Sequence, residues 1–260
     1  MNVQKQCVAW SCAGILIGTS AIASAGQSQT IGVSAHPPSR WAISAEWGPD
    51  NAISGKIIKD ASGQTTGGVP INLDETTYDE VYGRLLQFKV GVAYLATSRS
   101  EAVLNFIVSR SGAETVTIGS VGAANVPVSV NFTDMDYWGF EGGQRFLFSR
   151  ARIVPYAGYL VGINRYGDIR ATLSNASENV IPGLVAQDGK IFEKSWAFSA
   201  GPTGGVLVDL GPVGLTAEMQ FKYMGGLSDV DWLVEQGLRD INDESSRWSF
   251  PVMFGARFRF

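Results

Sequence analysis

The sequence predicts an all-β fold: an eight-stranded antiparallel up-and-down transmembrane β-barrel with short periplasmic turns and four long extracellular loops. Three observations predict it. The last segment alternates strictly, Trp248, Phe250, Val252, Phe254, Ala256, Phe258 and Phe260 on one face against Ser249, Pro251, Met253, Gly255, Arg257 and Arg259 on the other. Successive side chains of a strand point to opposite faces, and a bulky apolar face that runs out on a bare aromatic, with arginines behind it, suits a strand that meets lipid. Comparable alternation recurs along the chain, with connections that are long and short by turns. The chain also opens on an export leader.

That leader is built from Lys5, an apolar run from Val8 to Ile17, and Ala23-Ser24-Ala25 before Gly26. This is the pattern of a secretory signal peptide, and no stretch approaches the ~20 apolar residues of a spanning helix. The expected organisation is a signal peptide over 1–25, a periplasmic lead over 26–39 and the barrel over 40–260. Cys7 and Cys12 both fall in the leader, so the mature chain carries no disulfide framework, thiol nucleophile or Cys-ligated zinc. Glycine accounts for 31 of 260 residues and aromatics for 11%, as suits closely packed strands. Removing residues 1–25 takes away only Lys5 among charged residues, leaving 19 basic against 24 acidic side chains. Such a balance attracts no nucleic acid.

The strands follow in order. Trp41, Ile43, Ala45 and Trp47 oppose Ala42, Ser44 and Glu46 in strand one, and Leu86, Phe88, Val90, Val92 and Tyr94 oppose Gln87, Lys89, Gly91 and Ala93 in strand two. Strand three, over 101–110, puts Leu104, Phe106 and Val108 together, with Val103 and Ile107 blurring its other face. Strand four sets Trp138, Phe140, Phe146 and Phe148 against Tyr137, Glu141, Gly143 and Arg145. Strand five, over 152–166, has no clear faces. Strand six, from Ser195 to Leu210, groups Trp196, Phe198, Ala200, Val206 and Val208, and strand seven sets Val213, Leu215, Ala217, Met219, Phe221 and Tyr223 against Thr216, Glu218, Gln220 and Lys222. The terminal alternation is strand eight.

Thr97–Ser100, Ser149–Ala151 and Gly211–Pro212 are tight turns, whereas 49–79, 111–134, 167–194 and 224–246 are long, polar and rich in Gly, Asn, Asp and Ser. Up-and-down threading puts every second connection on one side, with the short ones periplasmic. Thirteen residues at ~3.3 Å each, tilted by ~40°, cover the ~25 Å apolar band. Trp41, Trp47, Trp138, Tyr156, Trp196, Tyr223 and Trp248 lie near strand ends, where amphipathic rings favour the membrane interface. Pro202 and Pro251 each remove a ladder donor, which predicts bulges there.

Tyr137–Phe148 (YWGFEGGQRFLF), Ile153–Ile163 (IVPYAGYLVGI) and the ending Gly255-Ala256-Arg257-Phe258-Arg259-Phe260 resemble the small eight-stranded outer-membrane barrels, the OmpA transmembrane domain and its OmpX- and OmpW-like relatives. The likeness spans most of 40–260. It implies location in the cell outer membrane, outer-membrane lipid and lipopolysaccharide as surroundings, and the barrel-assembly machinery as a partner in biogenesis. Gly255, Phe258 and Phe260 match the terminal assembly signal of that group. A monomer without a wall-binding domain after the barrel is expected.

With one face in lipid, the other fills the lumen. Its charged set is Glu46, Lys89, Glu141, Arg145, Asp209, Glu218, Lys222, Arg257 and Arg259, and an eight-stranded barrel is only wide enough for side chains to fill. Enclosed charges must pair, so Glu46, Lys89, Glu141, Arg145, Glu218, Lys222 and Arg257 are expected to form a structural lumen network, with Glu141/Arg145 and Glu218/Lys222 among its members. His36 is the one histidine and lies before strand one; together with the absence of a metal-spaced acid cluster, this points away from an enzyme and from any cofactor. Ser228–Asn242 has near-helical apolar spacing, so the last loop is expected to carry a short acidic helix. The expected function is a non-enzymatic outer-membrane protein with a structural or surface-interaction role. The alternatives are a narrow OmpW-like channel for small hydrophobic molecules, disfavoured by a continuous ionic network, and a soluble lipocalin-like carrier, which demands the reverse polarity.

Overall fold

The computed structural model describes residues 40–64, 68–173, 189–230, 241–242 and 245–260. The leader, the lead with His36, and the core of the expected loop helix (231–240) lie outside the described residues. Eight strands form the wall: β1 Trp41–Ser54, β2 Arg84–Thr97, β3 Ser100–Ser111, β4 Met135–Leu147, β5 Ile153–Tyr166, β6 Trp196–Asp209, β7 Val213–Gln220 continued by Lys222–Met224, and β8 Arg247–Arg259. Each pairs antiparallel with its sequence neighbour, and β1 pairs with β8, from Ala42↔Arg259 to Asp50↔Pro251, closing the barrel. Closure leaves no open edge in the wall.

Alternation decides which side chain faces where. On β7, Leu215, Met219 and Phe221 point outward while Thr216, Glu218 and Gln220 point inward. Phe221 is 42% and Phe258 46% exposed, against 3% for Glu218 and 6% for Arg257. The wall is apolar outside and charged inside, which rules out the lipocalin-like polarity. The faces of β5, illegible in the sequence, are resolved: Ile153, Tyr159, Val161 and Ile163 lie outward, and Val154, Tyr156, Leu160 and Asn164 inward. Tyr156 is therefore a lumen residue and not an interfacial one. The glycines Gly158 and Gly162 dilute the alternation on β5, which is why its pattern fails to show.

The prolines do not produce bulges. The β7–β8 register passes from Met219↔Val252 to Lys222↔Ser249 without a shift, and β6–β7 passes from Ala200↔Tyr223 to Thr203↔Gln220 likewise. What they produce is a gap in the ladder. Pro202 stands opposite Phe221 and Pro251 opposite Gln220, so each neighbour of β7 lacks one N–H donor toward it; Phe221 N–H still donates to the Pro202 carbonyl at 3.0 Å. Gly201 fits here because a Cβ would sit 1.9 Å from the Phe221 carbonyl oxygen.

Tight turns join the strands at one end, Gly211 turning with φ +101°, a left-handed conformation that glycine adopts without strain. At the other end the long connections are not polar loops. Three of them contribute strands to a six-stranded sheet, in the order 189–192, 169–173, 126–132, 115–121, 70–73 and 61–64. A ribbon of Lys56–Ile58 with Thr76–Thr77 leads into a short helix, α1 Tyr78–Tyr82, started by a capping box between Thr77 and Glu80. Ile57, Ile58, Ile71, Leu73, Val81, Ile118, Val128, Val130, Phe132, Ile191 and Phe192 pack with the barrel residues Leu85, Ile107, Met135, Tyr137, Tyr166 and Met224 into one apolar core. The connections thus build a cap seated on the barrel mouth. Burial of that core supplies the driving force that isolated polar loops would lack.

Candidate functional site: a braced lumen beneath a cap

The lumen holds two apolar clusters, Ala42, Ala93, Val103 and Leu160 in one and Leu147, Val154, Tyr156 and Leu207 in the other. An ion-pair lattice shares this interior. Glu46 and Lys89 are cross-strand partners in register on β1 and β2, and Lys89 Nζ lies 2.5 Å from Glu46 Oε2 and 2.5 Å from Glu218 Oε1. Glu218 Oε2 in turn lies 2.5 Å from Arg145 Nη2 and accepts from the Tyr156 hydroxyl at 2.8 Å. Arg257 meets Glu101 through two contacts, 2.6 and 2.9 Å, the bidentate geometry that makes guanidinium–carboxylate pairs strong. Lys222 Nζ is 2.5 Å from Glu141 Oε1.

All seven side chains singled out in the sequence are enclosed, Lys222 at 0% exposure and Arg257 the most open at 6%. Glu141 and Arg145 do not pair with each other, nor do Glu218 and Lys222. Glu141 pairs with Lys222 and Arg145 with Glu218, joining β4 to β7; Lys89–Glu218 joins β2 to β7, and Arg257–Glu101 joins β3 to β8. Arg145 and Glu101 are register neighbours on β4 and β3, yet each reaches across the lumen instead. The pairs are therefore struts between opposite walls. Asp209 and Arg259, also in the inward set, pair at 2.7 Å but stay 30% exposed at the turn end.

Glu101, Asp50, Tyr156 and Arg247 complete the interior and were not anticipated. Glu101 shares inward parity with Val103, Asn105 and Ile107, a signal masked by the apolar members of that face. Asp50 and Arg247 lie just past the strand limits read from the sequence. Among the described residues the enclosed set is balanced: Glu46, Asp50, Glu101, Glu141 and Glu218 against Lys89, Arg145, Lys222, Arg247 and Arg257. The Tyr137 hydroxyl is 3.0 Å from both Asp50 Oδ2 and Gln87 Oε1.

Arg247 joins lumen to cap. Its guanidinium lies 5.1 Å from the Tyr78 ring centroid and 5.7 Å from those of Tyr137 and Tyr166, and it contacts the sulfurs of Met224 and Met135 at 3.2–3.3 Å. Cation–π attraction is strongest where such a cage is desolvated. In the cap, burial pushes the Tyr78 and Tyr82 hydroxyls well above the usual tyrosine range, with Arg247 opposing the shift. The Tyr78 hydroxyl donates to the Ser245 carbonyl at 3.2 Å, which ties α1 to the last connection. Gly255 lies in β8 opposite Glu46 and Thr216, while Phe258 and Phe260 point outward at the turn end.

No protein-family model and no curated protein matches this chain. Among solved structures it is similar to Neisserial surface protein A (NspA), at 13% identity and a TM-score of 0.45 over 86% of this chain and 100% of that one. It is likewise similar to Ail, the attachment invasion locus protein of Yersinia pestis, at 13% identity and a TM-score of 0.42, again over 86% and 100%. Ail in complex with the heparin analogue sucrose octasulfate gives 14% identity and a TM-score of 0.39 over 85% and 99%. The fold itself is the small eight-stranded antiparallel barrel, closed on itself, with an apolar exterior and an ionic interior.

Proposed function

We propose that this chain is a non-enzymatic integral outer-membrane protein, in which a plugged barrel holds a folded cap at the cell surface for a structural or surface-interaction role. The observation that carries this reading is the polarity of the wall. Phe88, Phe106, Phe140, Phe198, Leu215, Met219 and Phe254 form an exposed apolar belt, with Trp41 at the turn end and Trp138, Trp196 and Trp248 toward the loop end. Such a belt is costly in water and favourable in a bilayer. A strand ladder closed on itself satisfies the backbone groups that lipid cannot. The turn end then faces the periplasm and the cap faces out. Gly255, Phe258 and Phe260 act as the assembly signal, and lipid and lipopolysaccharide surround a monomer. Among the described residues the enclosed glutamates Glu46, Glu101, Glu141 and Glu218 are each held by a lysine or arginine, which supports a structural use of the lumen.

Heat-modifiable gel mobility of the membrane fraction tests this reading: a folded lipid-embedded barrel migrates anomalously until boiled. A second reading, the narrow channel, draws support from the ladder gap at Pro202, Phe221 and Pro251. The ionic lattice and the apolar clusters of the lumen oppose it. A large, steady conductance in every planar-bilayer insertion would favour the channel.

A further inference from the structure

One lipid-facing feature is used neither by the lumen nor by the cap. Register links Trp47, Phe88, Val108, Trp138, Arg165 and Trp196 into a single outward row across β1 to β6. Arg165 is its only charged member. It stands between Trp138 and Trp196, whose rings meet edge-on with centroids 5.3 Å apart, and its guanidinium lies 5.6 Å from the Trp196 centroid. The two indoles are 42% and 49% exposed. Lys194 lies two residues before Trp196, in the bend that leads into β6, and is exposed. The Tyr166 N–H donates to the Ser195 carbonyl at 3.0 Å, which carries the β5–β6 pairing up to the residue next to Lys194, so its long side chain starts close to Arg165.

Among the described residues neither Arg165 nor Lys194 has a carboxylate within 4.0 Å, while the acids nearby are occupied. Asp134 and Asp136 are held by Arg110 at 3.1 and 3.5 Å, and Asp168 by Lys190 at 3.8 Å and by the Lys194 backbone N–H at 2.9 Å. Indoles settle at the headgroup level. A guanidinium laid on an indole keeps its N–H edge free and presents it at that depth, where phosphate is the fitting bidentate acceptor.

We propose that Arg165 and Lys194, framed by Trp138 and Trp196, bind the phosphate of an anionic lipid headgroup in the leaflet around the loop end. The proposal rests on the membrane-spanning reading. Its test is native mass spectrometry of the full chain released from nanodiscs of phosphatidylcholine with phosphatidic acid. The expected result is preferential retention of phosphatidic acid, lowered about tenfold by R165A/K194A, as for loss of charge-assisted hydrogen bonds. K194A alone, which removes only an exposed side chain, should give part of that loss, and Arg150→Ala in the turn at the opposite end none. Equal retention by R165A/K194A and the unaltered chain overturns the proposal, as does absence of lipid preference. Displacement of phosphatidic acid by inorganic phosphate at equal concentration would also overturn it, marking a bare anion site. Failure of the unaltered chain to show heat-modifiable mobility would instead strike the membrane reading itself.

Discussion

Replacing Arg257 by methionine tests the struts directly. Arg257 is 6% and Glu101 2% exposed, and the two contacts at 2.6 and 2.9 Å engage both carboxylate oxygens of Glu101. R257M leaves that carboxylate enclosed beside the rest of the lattice with no cation of its own. Breaking one member of a buried pair costs ~3–5 kcal/mol, because the remaining charge has lost both solvent and partner. That is ~2 to ~3.6 decades in the unfolding equilibrium constant. Removing both partners, as in E101L/R257M, takes away the orphan charge along with the pair, so the double variant should recover most of the loss or exceed the starting stability. The assay is a urea refolding titration in lipid vesicles, followed by tryptophan fluorescence and by gel mobility without boiling. A single R257M within ~0.5 kcal/mol of the unaltered chain, the range of an ordinary surface change, would refute the strut interpretation. A double variant as damaged as the single would refute the orphan-charge argument while sparing the contact.

Phe254→Arg, at a wall position 52% exposed, should cost ~2–4 kcal/mol in the same titration if that position meets the bilayer midplane; a neutral effect would indicate an aqueous surface. Arg247→Met should weaken the cap by ~2 kcal/mol through loss of its desolvated ring contacts, seen as faster limited proteolysis of residues 55–83 with barrel mobility retained. Unchanged cleavage would show that the cap does not depend on the cage. Alkali should loosen the cap through Tyr78 and Tyr82. Their hydroxyls are held above the ordinary value, so the neutral form is favoured in the folded state; that contribution is complete below pH ~10 and falls away above it, as the unfolded chain ionises first. Hydrogen exchange in α1 that stays flat from pH 8 to about 11 would count against this.

The wall was legible because period-2 patterning survives wherever lipid demands one greasy face: Trp41 to Trp47, Leu86 to Tyr94 and Val213 to Tyr223 declare both their strands and their faces. Inward parity also identified Glu46, Lys89, Glu141, Arg145, Glu218, Lys222 and Arg257 as enclosed charges. Who pairs with whom was not legible, because a strut such as Arg145–Glu218 depends on barrel diameter and shear, and the direct neighbours in register suggest Arg145–Glu101 instead. The cap was misread for a compositional reason. Val116, Ile118, Val126, Val128, Val130 and Phe132 alternate as plainly as many wall residues, but the glycines and asparagines between them, around Gly122 and Asn125, pass for loop chemistry. Its remaining strands are only two to five residues long, too short to register a period, and they are ordered by one another and by the barrel rim.

Lys89 and Glu218 are 129 residues apart in the chain, and Arg257 and Glu101 are 156 apart. Lys89 has Glu46 beside it in register, but Glu101 meets its cation only on the last strand. A half-curled sheet would therefore present that carboxylate to hydrocarbon, where it is prohibitive, and the segment bearing Glu101 must wait for residues that arrive last. Insertion and circularisation are thereby forced into a single event: the molecule enters lipid as a finished ring or stays out.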